Sequence, residues 1–117
     1  MKICKRCIQP DTRPNIYFNK DGVCGACIWE LDEKVKIDWE KREKELLELL
    51  EKYRKPSGYD CLVPGSGGKD SAYTAHILKY KYGMNPLTVT WAPHMYTNIG
   101  WENFDNWIKV GGFDNIL

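Results

Sequence analysis

Two groups of residues in this chain have the types and spacing that chemistry requires. The first is a pair of cysteine pairs, Cys4-x-x-Cys7 and Cys24-x-x-Cys27, with residues 8–23 between them. Each Cys-x-x-Cys turn can present two sulfurs to one point, and a tetrahedral ion needs four of them at about 2.3 Å. With no His in the set and no open position, Zn²⁺ held there is expected to be structural, stabilising a segment too small for its own core. An iron–sulfur cluster or a redox dithiol are the other uses of such a set. The second group is the glycine-rich run Ser66-Gly67-Gly68-Lys69-Asp70-Ser71. It follows a β-prone segment, Tyr59 to Val63, and precedes a helix-forming one. Gly67 and Gly68 let the backbone approach a ligand closely, Asp70 or Ser71 is expected to cap the helix, and backbone N–H groups then converge on a phosphate. The run is not a Walker A loop, because Val63 and Asp70 occupy the positions of its first Gly and its Ser or Thr.

These groups need elements to position them. Asp21-Gly22 is a tight-turn signal with Ile16-Tyr17-Phe18 before it and Val23 after it, so a short hairpin is expected between the cysteine pairs. Residues 38–54 read as a charged helix capped by Asp38, with Trp39, Leu46, Leu50 and Tyr53 on one stripe, read as a packing face between the two modules. Pro56-Ser57-Gly58 breaks it. After the loop, Ala72, Ala75, His76, Leu78 and Tyr82 have helical spacing and Gly83 ends the helix. Pro86 to Trp91 reads as a second strand, Asn98 to Val110 as a helix and Phe113 to Leu117 as a third strand. Alternating strands and helices predict a parallel sheet with right-handed crossovers. Ligands of such sheets sit beyond the carboxyl ends of the strands, where Ser66–Ser71 and Trp91–Tyr96 fall. Cys61 is expected to be a small buried side chain. His76 reads as a packing or surface residue, His94 lies at the ligand edge, and Trp91, Trp101 and Trp107 are expected in the core.

The 117 residues leave room for one modest domain or a small module joined to part of a larger one. With 17 basic and 16 acidic side chains the net charge is +1, so no global field draws nucleic acid or an anionic membrane. No apolar run approaches the roughly 20 residues that span a bilayer, and Met1-Lys2-Ile3-Cys4-Lys5-Arg6 lacks a signal-peptide core, which predicts a cytoplasmic protein.

Ser66-Gly67-Gly68-Lys69-Asp70-Ser71 resembles the Ser-Gly-Gly-x-Asp-Ser PP-loop of the ATP pyrophosphatases, which split ATP into AMP and pyrophosphate. The longer pattern resembles the N-acetyl sugar amidotransferase family. It is carried by Cys4-Lys5-Arg6-Cys7, Cys24-Gly25-Ala26-Cys27, Ile37-Asp38-Trp39, Tyr59-Asp60-Cys61-Leu62-Val63 with the loop, and Thr90-Trp91-Ala92-Pro93.

The resemblance implies an α/β fold: a zinc ribbon over residues 1–32, a linking helix over 33–57, and over 58–117 the first part of a Rossmann-like (adenine nucleotide alpha hydrolase-like) parallel sheet. It implies ATP with Mg²⁺ at Ser66 to Ser71, adenine bounded by the backbone of Thr90 and Trp91, and Zn²⁺ at Cys4, Cys7, Cys24 and Cys27. The implied reaction turns the acetamido group of a bacterial surface sugar into an acetamidino group, in lipopolysaccharide O-antigen or nonulosonic acid biosynthesis. Ammonia would come from a partner glutaminase of the histidine-biosynthesis type, and the acceptor would be an N-acetylated sugar or sugar nucleotide. Enzymes of that family are longer and their sheets have about five strands, so this chain is expected to be an N-terminal portion, weakly active or inactive alone, with its first strand at an edge. Two other readings stay open: a tRNA-thiolating enzyme, against which the near-neutral charge speaks, and a non-catalytic zinc-ribbon module that docks a partner.

Overall fold

The computed structural model describes all residues from Met1 to Leu117. The chain divides into two compact units, Met1–Arg42 and Glu43–Leu117, with the boundary inside one helix.

The first unit is built on turns. Antiparallel bridges join Ile3 to Pro10 and Phe18 to Cys24, so the expected hairpin is reduced to a single bridge. Asn19 shapes its turn: Oδ1 accepts from the backbone N–H groups of Asp21 and Val23 at 3.0 and 2.9 Å. Gly22 sits at φ +77°, where a side chain would be strained. The second cysteine pair runs into a short helix α1 (Gly25–Ile28), which continues as a π turn over Trp29–Glu33 and a 3₁₀ turn over Lys34–Lys36. Arg6 Nη1 donates to both carboxylate oxygens of Asp32 at 2.9 and 3.0 Å, fastening the first cysteine knuckle to this helical segment. Cys4, Val23 and Cys24 are the only buried apolar residues here, flanked by Ile16, Phe18 and Ile28. So small a core cannot offset the entropy of ordering its chain.

Helix α2 (Trp39–Tyr53) starts as its sequence predicts, with Asp38 Oδ1 accepting from Lys41 N–H at 2.9 Å. Of its apolar residues Leu50 is buried, while Trp39, Leu47, Leu49 and Tyr53 are exposed. Its end is clamped by Arg54, whose guanidinium donates to Glu51 Oε1 and to the carbonyls of Tyr82 and Gly83.

The second unit has three parallel strands, β1 (Cys61–Pro64), β2 (Pro86–Val89) and β3 (Asp114–Ile116), in the order β1-β2-β3. The connections carry α3 (Lys69–His76), extended by a π turn over Ile77–Lys81, and α4 (Asn98–Lys109). The expected β-α-β-α-β alternation is therefore present, with strands shorter than the apolar runs that announce them. Val63, Ala75, Phe104, Trp107 and Phe113 form the core, so both helices cover the sheet face that carries Val63. In register with Val63 that face is polar: Thr88 Oγ1 donates to Asp114 O at 2.7 Å, and Asn115 Nδ2 donates to Thr88 Oγ1 and Thr90 Oγ1 at 2.9 and 3.0 Å. These bonds make burial of the two threonines tolerable. On the other face Leu62 and Ile116 are exposed, and β1 pairs on one side only, at the edge of the sheet.

Among the tryptophans only Trp107 is in the core. Trp91 is 91% exposed and Trp101 is 46% exposed, a correction to the core positions expected of them. Cys61 is half-buried rather than buried. No helix is long and apolar enough to cross a membrane.

Candidate functional site: a four-cysteine cluster and a phosphate-type loop

The four cysteine sulfurs of the first unit converge. Their Sγ atoms all lie within 4.8 Å of one another, with Cys4 to Cys27 at 4.0 Å and Cys7 to Cys24 at 3.8 Å. Four bonds of about 2.3 Å to one tetrahedral ion put the sulfurs about 3.8 Å apart. The cluster thus has the dimensions of a single-ion site such as zinc. A cluster of several irons would hold the sulfurs farther apart. Backbone N–H groups of Cys24 and Arg6 point at Cys4 Sγ from 3.2 and 3.4 Å, an arrangement that stabilises a thiolate. Burial works against that thiolate, yet the donors from Cys24, Arg6 and Cys7 outweigh it and pull the Cys4 thiol down to about 6. Hydrogen bonding to Cys7, with burial, pushes Cys27 up to about 12. Without a cation the four groups cannot all ionise together, which is the electrostatic demand a divalent ion meets.

The loop of the second unit lies at the carboxyl end of β1. Gly65 N–H donates to Val89 O at 3.0 Å, tying the loop to the end of β2. Gly67 has φ +85°, and a Cβ there would lie 2.8 and 2.9 Å from the Cα and N of Phe104, so the loop packs directly on the backbone of α4. Gly68 is the N-cap of α3, extended at φ −72° and ψ 157°, with no side-chain cap. This overturns the capping role expected of Asp70 or Ser71: both lie inside the first turn. Ser71 Oγ instead donates to Gly68 O at 3.0 Å, and Asp70 Oδ1 pairs with Lys69 Nζ at 2.5 Å. A side chain at the cap would have occupied the orphan N–H groups. With glycine there, those of Gly67, Gly68, Lys69, Asp70 and Ser71 donate to no acceptor in the chain. A Cβ on Gly68 would meet nothing within 4 Å, so this side of the loop is open.

Two grooves flank the loop. One, about 670 Å³, is lined by Pro64, Ser66, Gly68, Asp70, Ser71 and Thr74 among others. The other, about 890 Å³, runs from Gly67 and Lys69 between α3 and α4.

Thr90 and Trp91 lie where β2 ends. The Thr90 hydroxyl is taken by Asn115, Thr90 N–H donates to Ile116 O at 2.8 Å, and its side chain is buried. It therefore faces the helices. Trp91 follows with its indole in solvent. His94 is exposed and has no hydrogen bond, and His76 stacks on Tyr80 with ring centroids 4.8 Å apart. Cys61 is pushed up to about 11 by burial first and by the neighbouring Asp60 charge second, so it is not a ready nucleophile. The sequence gives no warning of Asn115, an exposed-type residue in a short terminal strand. Its position two strands from the loop becomes visible only through the register.

No protein-family model matches the sequence. Over 88 residues the chain is 35% identical to Uncharacterized protein MJ1599 of Methanocaldococcus jannaschii, a match covering 74% of this chain and 31% of that protein. The chain spans about a third of the length of the curated relative it matches.

Proposed function

We propose that this chain carries the ATP-cleaving loop and zinc ribbon of an amidotransferase of the N-acetyl sugar type, with the sheet of the second unit belonging to the Rossmann-like, adenine nucleotide alpha hydrolase-like class. The observation that carries the reading is the loop: a parallel strand delivers Ser66–Ser71 to a helix whose N-cap is Gly68, leaving five consecutive backbone N–H groups without an acceptor. An uncapped helix start with glycines at its entrance favours a phosphate.

In the proposed reaction the oxygen of a sugar acetamide attacks the α-phosphorus of ATP. The bond to the β-phosphate breaks, pyrophosphate leaves with its electron pair, and the amide oxygen becomes an adenylate. Ammonia then adds to the activated carbon and AMP departs with the C–O electron pair and the oxygen, leaving the acetamidino group after loss of a proton. An amide oxygen alone is too poor a leaving group for this exchange. The residues of the loop would hold the departing pyrophosphate: the unpaired N–H groups of Gly67 to Ser71 and the Ser66 hydroxyl are the donors available to the charge that develops there, joined by Ser71 once its hydroxyl releases Gly68 O. Mg²⁺ bound together with ATP would neutralise part of that charge. Lys69 adds a mobile point charge once it exchanges Asp70 for phosphate. Adenine would lie against the backbone of Thr90 and Trp91, whose strand end is joined to the loop through Gly65 and Val89. The zinc held by Cys4, Cys7, Cys24 and Cys27 orders the first unit and takes no part in the chemistry. A glutaminase partner of the histidine-biosynthesis type would supply ammonia, and the setting would be the cytoplasm.

The test is titration of the zinc-loaded chain with ATP and Mg²⁺ in a calorimeter. Saturable binding that a Gly68→Ala substitution weakens at least tenfold is the expected result. A chain that binds no ATP, or binds it regardless of Gly68, overturns the reading.

A further inference from the structure

Charge is not spread evenly over this nearly neutral chain. Residues 1–24 carry Lys2, Lys5, Arg6, Arg13 and Lys20 against Asp11 and Asp21. Arg6 is committed to Asp32, and Asp11 takes the Lys2 backbone N–H at 2.9 Å. Lys2, Lys5 and Lys20 line one groove of about 380 Å³ beside the first cysteine knuckle and the turn that follows Phe18. No carboxylate is among the lining residues, and none of the three ammonium groups is paired in the chain.

The backbone along the groove is also incompletely paired. Asp11 N–H donates to Lys2 O and Cys4 N–H to Gln9 O, so Ile3 between them turns its own N–H and C=O away from that pairing. Lys5, two residues on, uses the same edge to donate to Gly22 O at 3.0 Å. Gly25 N–H donates to Tyr17 O and Asn19 N–H to Val23 O, which leaves Phe18 in the same position as Ile3. Neither Ile3 nor Phe18 has a partner for its backbone N–H or C=O. Both line the groove, which therefore carries two free strand-edge residues, the kind of edge that takes an extended peptide through main-chain bonds. Asn19 Oδ1 is fixed by the N–H groups of Asp21 and Val23, leaving Nδ2 as a further donor. The side chains of Ile3, 54% exposed, and of half-buried Phe18 offer apolar contact.

We propose that this groove docks a protein partner, taking an extended acidic segment in which carboxylates alternate with apolar side chains. The carboxylates meet Lys2, Lys5 and Lys20, the apolar side chains meet Ile3 and Phe18, and the segment's backbone pairs with theirs; a strand's side chains alternate in the way this needs. A phosphodiester chain fits less well. Its phosphates supply only acceptors, which leaves the carbonyls of Ile3 and Phe18 unpaired. Beyond the groove it would meet Asp11 beside Lys2 and Asp21 beside Lys20, on a molecule whose net charge is +1. At about 0.1 M salt the field of the three lysines reaches only about 10 Å, enough for a short segment and too little for a long polyanion. The groove lies wholly in the first unit and stands apart from the ATP reading of the loop.

Fluorescence anisotropy of the peptide fluorescein-Glu-Val-Glu-Val-Glu-amide, titrated with the zinc-loaded chain, tests this. The expected result is saturable binding at low salt that high salt suppresses. The Lys2→Gln/Lys5→Gln/Lys20→Gln variant should weaken it at least tenfold. Because the three side chains are exposed and unpaired, that variant keeps the parent's zinc content and melting temperature. Lys44→Gln/Lys52→Gln/Lys55→Gln removes the same charge from exposed positions elsewhere and should leave binding unchanged. The fully N-methylated peptide, which cannot donate to the free carbonyls, should bind at least tenfold more weakly. The absence of saturable binding, equal losses in the two triple variants, or equal binding of the N-methylated peptide overturns the proposal. So does an oligouridylate that displaces the peptide and binds more tightly than it does.

Discussion

Replacing Gly67 by alanine tests whether the shape of the loop is set by its contact with α4. Gly67 holds φ +85°, a region where an L side chain costs about 1–2 kcal/mol. The added methyl would also stand 2.8 Å from Phe104 Cα and 2.9 Å from Phe104 N. Those atoms are helix backbone in the middle of α4, next to core residues Phe104 and Trp107, and cannot swing aside as a side-chain end would. Overpacking of this kind costs about 1–3 kcal/mol. The sum, about 2–5 kcal/mol, is a large part of the 5–15 kcal/mol that holds a domain folded. For a unit of this size about 4–8 °C of melting temperature is lost per kcal/mol, so Gly67→Ala should melt at least about 8 °C below the parent. Gly68→Ala is the control: φ is −72°, the methyl enters open space, and the loss is that of a poorer N-cap, about 1 kcal/mol or less. Thermal melts followed by circular dichroism compare the two. A Gly67→Ala protein that melts within about 4 °C of the parent, or no lower than Gly68→Ala, would falsify the packing account.

Removing the metal should unfold the first unit alone. With a core of Cys4, Val23 and Cys24, chelation at neutral pH is expected to abolish amide protection at Val23 and Cys24 while the sheet of the second unit keeps its own; surviving protection at those two amides contradicts a structural ion. Because the ligands bind as thiolates, acid should release the metal and raising the pH restore it. Thr97→Ala deletes the cap of α4, where Thr97 Oγ1 accepts from Gly100 N–H at 3.0 Å, and should cost about 1 kcal/mol by denaturant melt; no change would mean that water replaces the bond without penalty. In the metal-loaded protein Cys61 is the cysteine outside the cluster, and with its thiol pushed up to about 11 it should alkylate at pH 8 roughly 100-fold more slowly than a free cysteine. A rate equal to that of the free amino acid contradicts the burial and the Asp60 charge assigned to it.

The spacing of four cysteines, the glycine-rich run and the order of elements were legible along the chain because each depends on near neighbours. A Cys-x-x-Cys turn brings its two sulfurs together whatever surrounds it, Asp38 caps the turn it begins, and alternating apolar runs need helical crossovers to pair in parallel. Reading failed where the outcome depended on which face of an element meets another. Apolar character suggested a buried Trp91, but β2 ends at Val89, Thr90 stays buried and bonded to Ile116, and Trp91 after it leaves the sheet for solvent. Trp107 carries the same indole and is buried because α4 turns that face onto Val63 and Phe113. Asp70 and Ser71 have good capping side chains, yet the chain turns into the helix one residue before Lys69, and Gly68 takes the cap.

By itself, then, the sequence determined which residues could ligate an ion and which could cradle a phosphate, since residue type and local spacing carry that chemistry. Only the tertiary structure decided that the four sulfurs stand at single-ion distances, that glycine rather than a side chain guards the start of α3, and that Lys2, Lys5 and Lys20 share one groove. Those relations join residues that are far apart in the chain, and they arise from strand register and helix packing, which local sequence does not encode.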